Sequence, residues 1–140
     1  MKKLLLAIVL AMVGYVAYVR HDAGSNLSPT AQSTTAERVG SDASNTQVQG
    51  AGVVSRILPD DNDGSRHQRF ILRLQSGQTL LVAHNIDLAP RIDDLKEGDT
   101  VEYSGEYAWN SKGGVVHWTH RDPSGQHVAG WLKHDGRVFQ

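Results

Sequence analysis

The chain has 140 residues, a formal net charge of −1 and no cysteine. Lipid attachment through cysteine, disulfides, thiolate metal sites and cysteine nucleophiles are therefore excluded. Charge this near balance also gives little generic attraction to nucleic acid or anionic lipid.

Met1-Lys2-Lys3 precedes an almost unbroken apolar run from Leu4 to Val19. As a helix it would extend roughly 24 Å, a little short of a hydrocarbon core, with Tyr15, Tyr18 and Arg20 placed to meet the interface. Residues 1–20 are expected to be a signal anchor. The lysines would stay cytoplasmic, with residues 4–19 in a bacterial inner membrane and the rest in the periplasm. The competing expectation is a signal peptide cleaved near Ala23-Gly24-Ser25, which would free the chain into the periplasm. From His21 to about residue 49 the composition is mainly Ser, Thr, Ala, Asn, Gln, Gly and Asp, with no Phe, Tyr or Trp and only Leu27, Val39 and Val48 as larger aliphatics. Such a segment buries too little to fold, and it reads as a flexible, disordered tether reaching roughly 30 Å.

Residues 50–140 hold all three tryptophans and every histidine but His21. Ten Lys/Arg stand there against twelve Asp/Glu. Strand patterns recur at close spacing between Gly, Asp and Asn turns, so the domain is expected to be mostly β. The first strand is expected over 52–58, ending at Pro59-Asp60-Asp61-Asn62-Asp63-Gly64. In the second, 67–74, period two places Gln68, Phe70, Leu72 and Leu74 on one face and His67, Arg69, Ile71 and Arg73 on the other. A third covers 78–84, and 86–95 is the one place for a short helix or helical turn. The fourth, 100–109, alternates Val101, Tyr103, Tyr107 and Trp109 with Glu102, Ser104 and Glu106. Asn110–Gly114 connects it to a fifth, 115–120, and Asp135-Gly136 predicts a type I′ hairpin between 131–134 and 137–140. Three strands, a short connection and two more strands fit a small OB-like five-stranded barrel with a C-terminal hairpin.

The densest chemistry lies in 113–127. His120, Asp122 and His127 offer two imidazoles and a carboxylate on one loop, a set suited to Zn²⁺, Mn²⁺ or Ni²⁺. The alternative is that they only organise a turn at Asp122-Pro123-Ser124-Gly125. His117 would sit on the opposite face of a flat strand from His120, so the two join one site only if the strand bends or ends between them. His84 is a candidate base with Asp87 as its orienting partner, unless Asp87 caps the following turn. Arg66, His67, Arg69 and Arg73 form a basic edge that binds an anion or pairs with Glu102 and Glu106. Asp60, Asp61 and Asp63 read as a solvated turn rather than a calcium loop. The tryptophans either stack on a ligand or fill the core.

Leu58-Pro59-Asp60-Asp61, Arg66-His67-Gln68-Arg69-Phe70-Ile71-Leu72, Ala83-His84-Asn85-Ile86-Asp87-Leu88-Ala89-Pro90-Arg91 and Gly114-Val115-Val116-His117-Trp118-Thr119-His120-Arg121-Asp122-Pro123 resemble an uncharacterised family of short exported bacterial proteins, a domain of unknown function. The resemblance implies one shared domain and a bacterial envelope location. More distantly the chain resembles thermonuclease-like OB barrels, with the Asp60-Asp61 loop, Arg69 or Arg73 and Asp87 in comparable places, although the spacing does not reproduce that family's motif. The expectation from these residues is a metal-dependent phosphodiesterase or nuclease-like hydrolase acting on nucleic acid or another anionic ligand. His120, Asp122 and His127 would hold the metal or position water, His117 or His84 would move protons, and Arg69 or Arg121 would offset developing charge. The alternative is a non-catalytic envelope module for a peptide, glycan or partner protein, with the histidines ordering loops or sensing pH.

Overall fold

A computed structural model describes residues 44–140. The expected membrane segment and the tether as far as residue 43 lie outside the described residues. Seven strands follow in chain order: β1 (Thr46–Asp61), β2 (His67–Arg73), β3 (Thr79–Asn85), β4 (Thr100–Ala108), β5 (Val115–His117), β6 (Trp131–His134) and β7 (Arg137–Phe139). The domain is mostly β, and no helix occurs among the described residues.

β1 is longer at both ends than its apolar pattern suggests. Thr46 to Gln49, expected within the tether, pair with Tyr107 to Ser104 of β4. Only Val48 of the four is buried, so their order comes from backbone pairing, to which composition is blind. At the far end the strand runs through Pro59 to Asp61, across a register shift between Leu58 and Asp61. A bulge there removes the need for the ladder donor that proline lacks.

The first half of β1 pairs with β4, Thr46 through Val53, and the second half with β2, Val53 through Asp61. A register irregularity between Val54 and Arg56 marks the bend between these halves. Gly52 lies at the changeover, where a Cβ would come within 2.9 Å of the Leu72 Cβ. Because one strand serves both neighbours, the pairing closes into a ring of five, β1-β2-β3-β5-β4 and back to β1. All of its pairings are antiparallel except β3 with β5. β6 extends the sheet from the first half of β4, and β7 pairs with β6 through the turn at Asp135 (φ 49) and Gly136 (φ 75), as expected for type I′.

Phe70, Leu72, Leu80, Val82, Val101, Tyr103, Tyr107, Val116 and Leu132 are completely buried and form the heart of the core. Gln68 lies on the same inward face, where its amide donates to the Ile92 carbonyl (2.8 Å) and accepts from the Ile92 N–H (2.9 Å). That pair of bonds fixes the 86–99 connection against β2 and gives both the nitrogen and the oxygen of the amide a partner. The expected short helix in this connection is a single turn, closed by Ala89 N–H to Asn85 O at 3.1 Å. Pro90 stops it, since it cannot donate onward.

Candidate functional site

β4 and β5 place Glu106 directly opposite His117, while their inward neighbours Tyr107 and Val116 pair in the core. Directly paired residues share a face, so the carboxylate and the imidazole both project outward. β5 then stops. Trp118 takes a positive φ of 51°, and the chain leaves the sheet for an excursion from 118 to 130. It returns at Gly130, whose N–H donates to the His120 carbonyl at 2.9 Å. A Cβ on Gly130 would run into the Trp118 and Ser104 carbonyl oxygens, so only glycine lets the excursion lie this close to β4. Thr119 and His120 are buried beneath it, whereas most of 121–129 is exposed.

His127 comes back over the start of the excursion. Its ring stacks on the Trp118 indole, 3.8 Å between centroids and 14° from parallel. Its Nδ1 lies 3.6 Å from Glu106 Oε2, and His117 Nε2 lies 3.7 Å from Glu106 Oε1. Each separation is longer than a hydrogen bond but close to the roughly 3 to 3.5 Å between two ligands of a metal held at about 2.1 Å from each. Burial holds the His117 pKa below the ordinary histidine value, against the opposing pull of Glu106. The positive charge His127, His67 and His120 would carry acts in the same downward direction. A neutral imidazole, the form a metal requires, is thereby favoured at His117.

His120 occupies the floor of this cluster, 3% exposed, with its ring 5.3 Å from Trp118. Its Nδ1 is 2.8 Å from the Arg121 carbonyl, which can only accept, so Nδ1 carries the proton and Nε2 the lone pair of the neutral ring. The bend at Trp118 is what brings His117 and His120 into one neighbourhood despite their flat-strand offset.

The expected trio His120, Asp122 and His127 does not converge on a common point through its carboxylate. Asp122 is spent on its own turn: it accepts from Ser124 Oγ at 2.7 and 2.8 Å, and from the N–H groups of Ser124, Gln126 and His127 at 2.9, 2.8 and 3.0 Å. The Ser124 hydroxyl and then these amides hold its pKa well below the usual carboxylate range. Asp122→Ala is therefore expected to accelerate amide hydrogen exchange at Ser124, Gln126 and His127 while β1–β4 amides exchange as before, a comparison made by NMR.

His84 is completely buried. Its Nε2–H donates to the Pro90 carbonyl at 3.1 Å, leaving Nδ1 to accept from the Thr119 hydroxyl at 2.8 Å. Burial pushes its pKa down to about 4, only partly opposed by the Pro90 bond. It holds the excursion to the 86–99 connection and offers no free nitrogen for proton transfer. Asp87, considered as its partner, instead accepts from the Arg66 N–H (2.8 Å) and Nε (2.7 Å), while Asn85 Oδ1 caps the Asp87 N–H at 2.9 Å. Arg69 donates twice to the Pro59 carbonyl, at 3.0 and 3.1 Å, and Arg121 is exposed at the start of the loop.

The anticipated pairing of the β2 basic edge with β4 carboxylates does not form, because the ring sets β1 between those strands. Glu102 pairs with Lys133 at 3.3 Å instead. Of the carboxylates compared with thermonuclease-like barrels, Asp60 is tied up locally with Arg91 at 3.0 Å and Asp87 with Arg66 at 2.7 Å. No tryptophan belongs to the buried core; Trp109 is 52% exposed. Glu106 joins this cluster without any motif to mark it; the one signal in the chain is that counting back from the Asn110–Gly114 connection places it opposite or next to His117.

Residues 23–140 match a family model described as a protein of unknown function, DUF3465. No curated protein matches the chain.

Proposed function

We propose, for a chain that belongs to the DUF3465 family of proteins of unknown function, a divalent metal site formed by His117, Glu106 and His127, serving hydrolysis of a phosphodiester. The observation that carries this reading is the placement of one imidazole nitrogen against each oxygen of a single carboxylate, at 3.7 and 3.6 Å. Closing the two histidines onto one ion requires movement of the exposed 121–129 loop, which carries His127. Two histidines and a carboxylate are a ligand set of hydrolytic zinc sites, with further positions left for water and substrate. A metal there would lower the pKa of bound water toward neutrality.

The other residues take their roles from position. His120 Nε2, its lone pair fixed by the bond from Nδ1, accepts a proton from the attacking water. Arg121, next in the chain and exposed, offsets charge developing on the phosphate. Asp122 positions His127 by accepting its N–H and does not bind the metal. We read the five-strand ring, with its β1-β2-β3-β5-β4 order and parallel β3–β5 closure, as an OB-like barrel. The reading places the domain in the periplasm, attached to the inner membrane through residues 4–19 or released by cleavage.

A second reading, an envelope module that binds a peptide or glycan without turnover, is favoured by the exposed Trp109 and the half-buried Trp118 and Trp131. Metal analysis of the full chain, prepared without an affinity His-tag and incubated with Zn²⁺ or Mn²⁺, separates the two. The His117→Ala/His127→Ala double variant is expected to hold about one equivalent less than the parent. Equal metal content in the two proteins would reject the metal site and leave the binding module.

A further inference from the structure

His134 of β6 pairs across the sheet with Val101, near the start of β4. Five residues of extended chain, about 17 Å, separate this position from Glu106. The side chain is 1% exposed and lies among three carboxylates. Its Nε2 is 2.8 Å from Asp99 Oδ2. Asp99 also accepts the Lys96 N–H at 2.9 Å, and these bonds hold its pKa below the usual carboxylate value. An ionised carboxylate only accepts, so Nε2 is the protonated nitrogen. Asp135 Oδ2 stands 3.7 Å from the same atom.

The other nitrogen, Nδ1, is buried and has no hydrogen-bond partner. A buried polar atom left unpaired costs about 1–3 kcal/mol, and native structures hold few of them. The facing group is Asp94, with Oδ1 at 3.8 Å, too far for a hydrogen bond. Asp94 is half-exposed and takes Arg137 Nη2 on both oxygens at 3.1 Å. Three carboxylates against one guanidinium leave two negative charges around a ring whose buried, unpartnered Nδ1 faces one of them.

We propose that His134 Nδ1 and Asp94 bind a divalent cation of the Zn²⁺ or Mn²⁺ class, with Asp135 completing the set from the adjoining turn. A histidine that ligates through one nitrogen characteristically donates the other N–H to a carboxylate, which fixes tautomer and ring orientation. Asp99 already does this. The mixed imidazole and carboxylate donors suit borderline cations better than Ca²⁺, which takes oxygen ligands. Arg137 is the gate: it occupies the Asp94 carboxylate and lies 5.4 Å from the Phe139 ring, against which it can rest when the cation displaces it. The cation and Arg137 therefore compete for Asp94. The site shares no residue with the His117 cluster and stands independently of it.

The test titrates Zn²⁺ into the full chain carrying His117→Ala and His127→Ala, so that the other cluster cannot contribute. Imidazole ¹⁵N resonances and calorimetry report binding. An Nδ1 resonance of His134 that shifts with Zn²⁺ is expected. Asp94→Asn in that background should weaken binding by about tenfold or more. Arg137→Gln should tighten it severalfold, although the same change removes an ion pair. A purely structural ion-pair role for Asp94 and Arg137 has no means of producing that gain. His134 resonances unmoved by Zn²⁺ in both the background and Arg137→Gln would overturn the proposal. Binding undiminished by Asp94→Asn would do the same.

Discussion

Replacing Glu106 with Gln is expected to weaken metal binding at the His117 cluster by at least about 100-fold and to reduce hydrolysis of a model phosphodiester in proportion. Loss of a hydrogen-bonding partner behind a metal ligand costs about 10- to 100-fold in affinity, so loss of a directly ligating charge should cost no less. Gln keeps the length and shape of the side chain and removes its anionic pull on both imidazoles. Glu106 projects outward from β4, opposite the face that packs Tyr103 and Tyr107. The thermal midpoint should therefore stay close to that of the parent. Metal is read by calorimetry in a chain also carrying Asp94→Asn, which weakens the second proposed site. Unchanged affinity with an unchanged midpoint would remove Glu106 from the ligand set.

The second large effect is acid destabilisation through His84. In the unfolded chain this histidine titrates near 6.5, whereas in the folded protein burial holds it at about 4. Between those values the unfolded state binds the extra proton and the folded state does not. Stability therefore falls as the pH is lowered. The contribution is fully present above about pH 6.5, drains away toward pH 4, and amounts to roughly 3 kcal/mol across that window. Denaturant titrations at pH 7 and pH 4.5 on the parent and on His84→Gln provide the measurement. The variant starts less stable, because Gln cannot reproduce both the Pro90 and Thr119 bonds, but its acid loss should be smaller by most of that amount. Parallel losses in the two proteins would show that other groups govern the acid limb.

The local rules of the chain were legible because they depend only on neighbours. Period two in β2 put Gln68, Phe70, Leu72 and Leu74 on one face, which is the buried one, and Asp135-Gly136 specified its hairpin turn. The family resemblance read from the motifs of β2, β3 and β5 agrees with the match over residues 23–140. What escaped reading depends on partners distant in the chain. Thr46 to Gln49 look like tether by composition, yet backbone pairing with a strand more than fifty residues away orders them. His84 looks like an available base until Thr119 and Pro90 occupy its two nitrogens. Asp122 looks like a ligand until its own turn claims it, and Glu106 looks like a surface charge until β5 sets His117 opposite. Histidine and aspartate spend their polar atoms equally well on architecture and on chemistry, and only the register decides which.

The ring has one more consequence, for how copies of this protein tolerate crowding. β4 is flanked by β1 along one side and by β5 and β6 along the other, and β1 has spent its two halves on β2 and β4. Among the described strands, the outermost in the sheet order is β7, three residues long and carrying Arg137 and an exposed Val138. A short strand bearing a charge is a poor template for the strand of another molecule. Copies held side by side would thus meet at that end of the sheet through side chains and loops, because β7 offers too short and too charged an edge for another molecule's strand to extend.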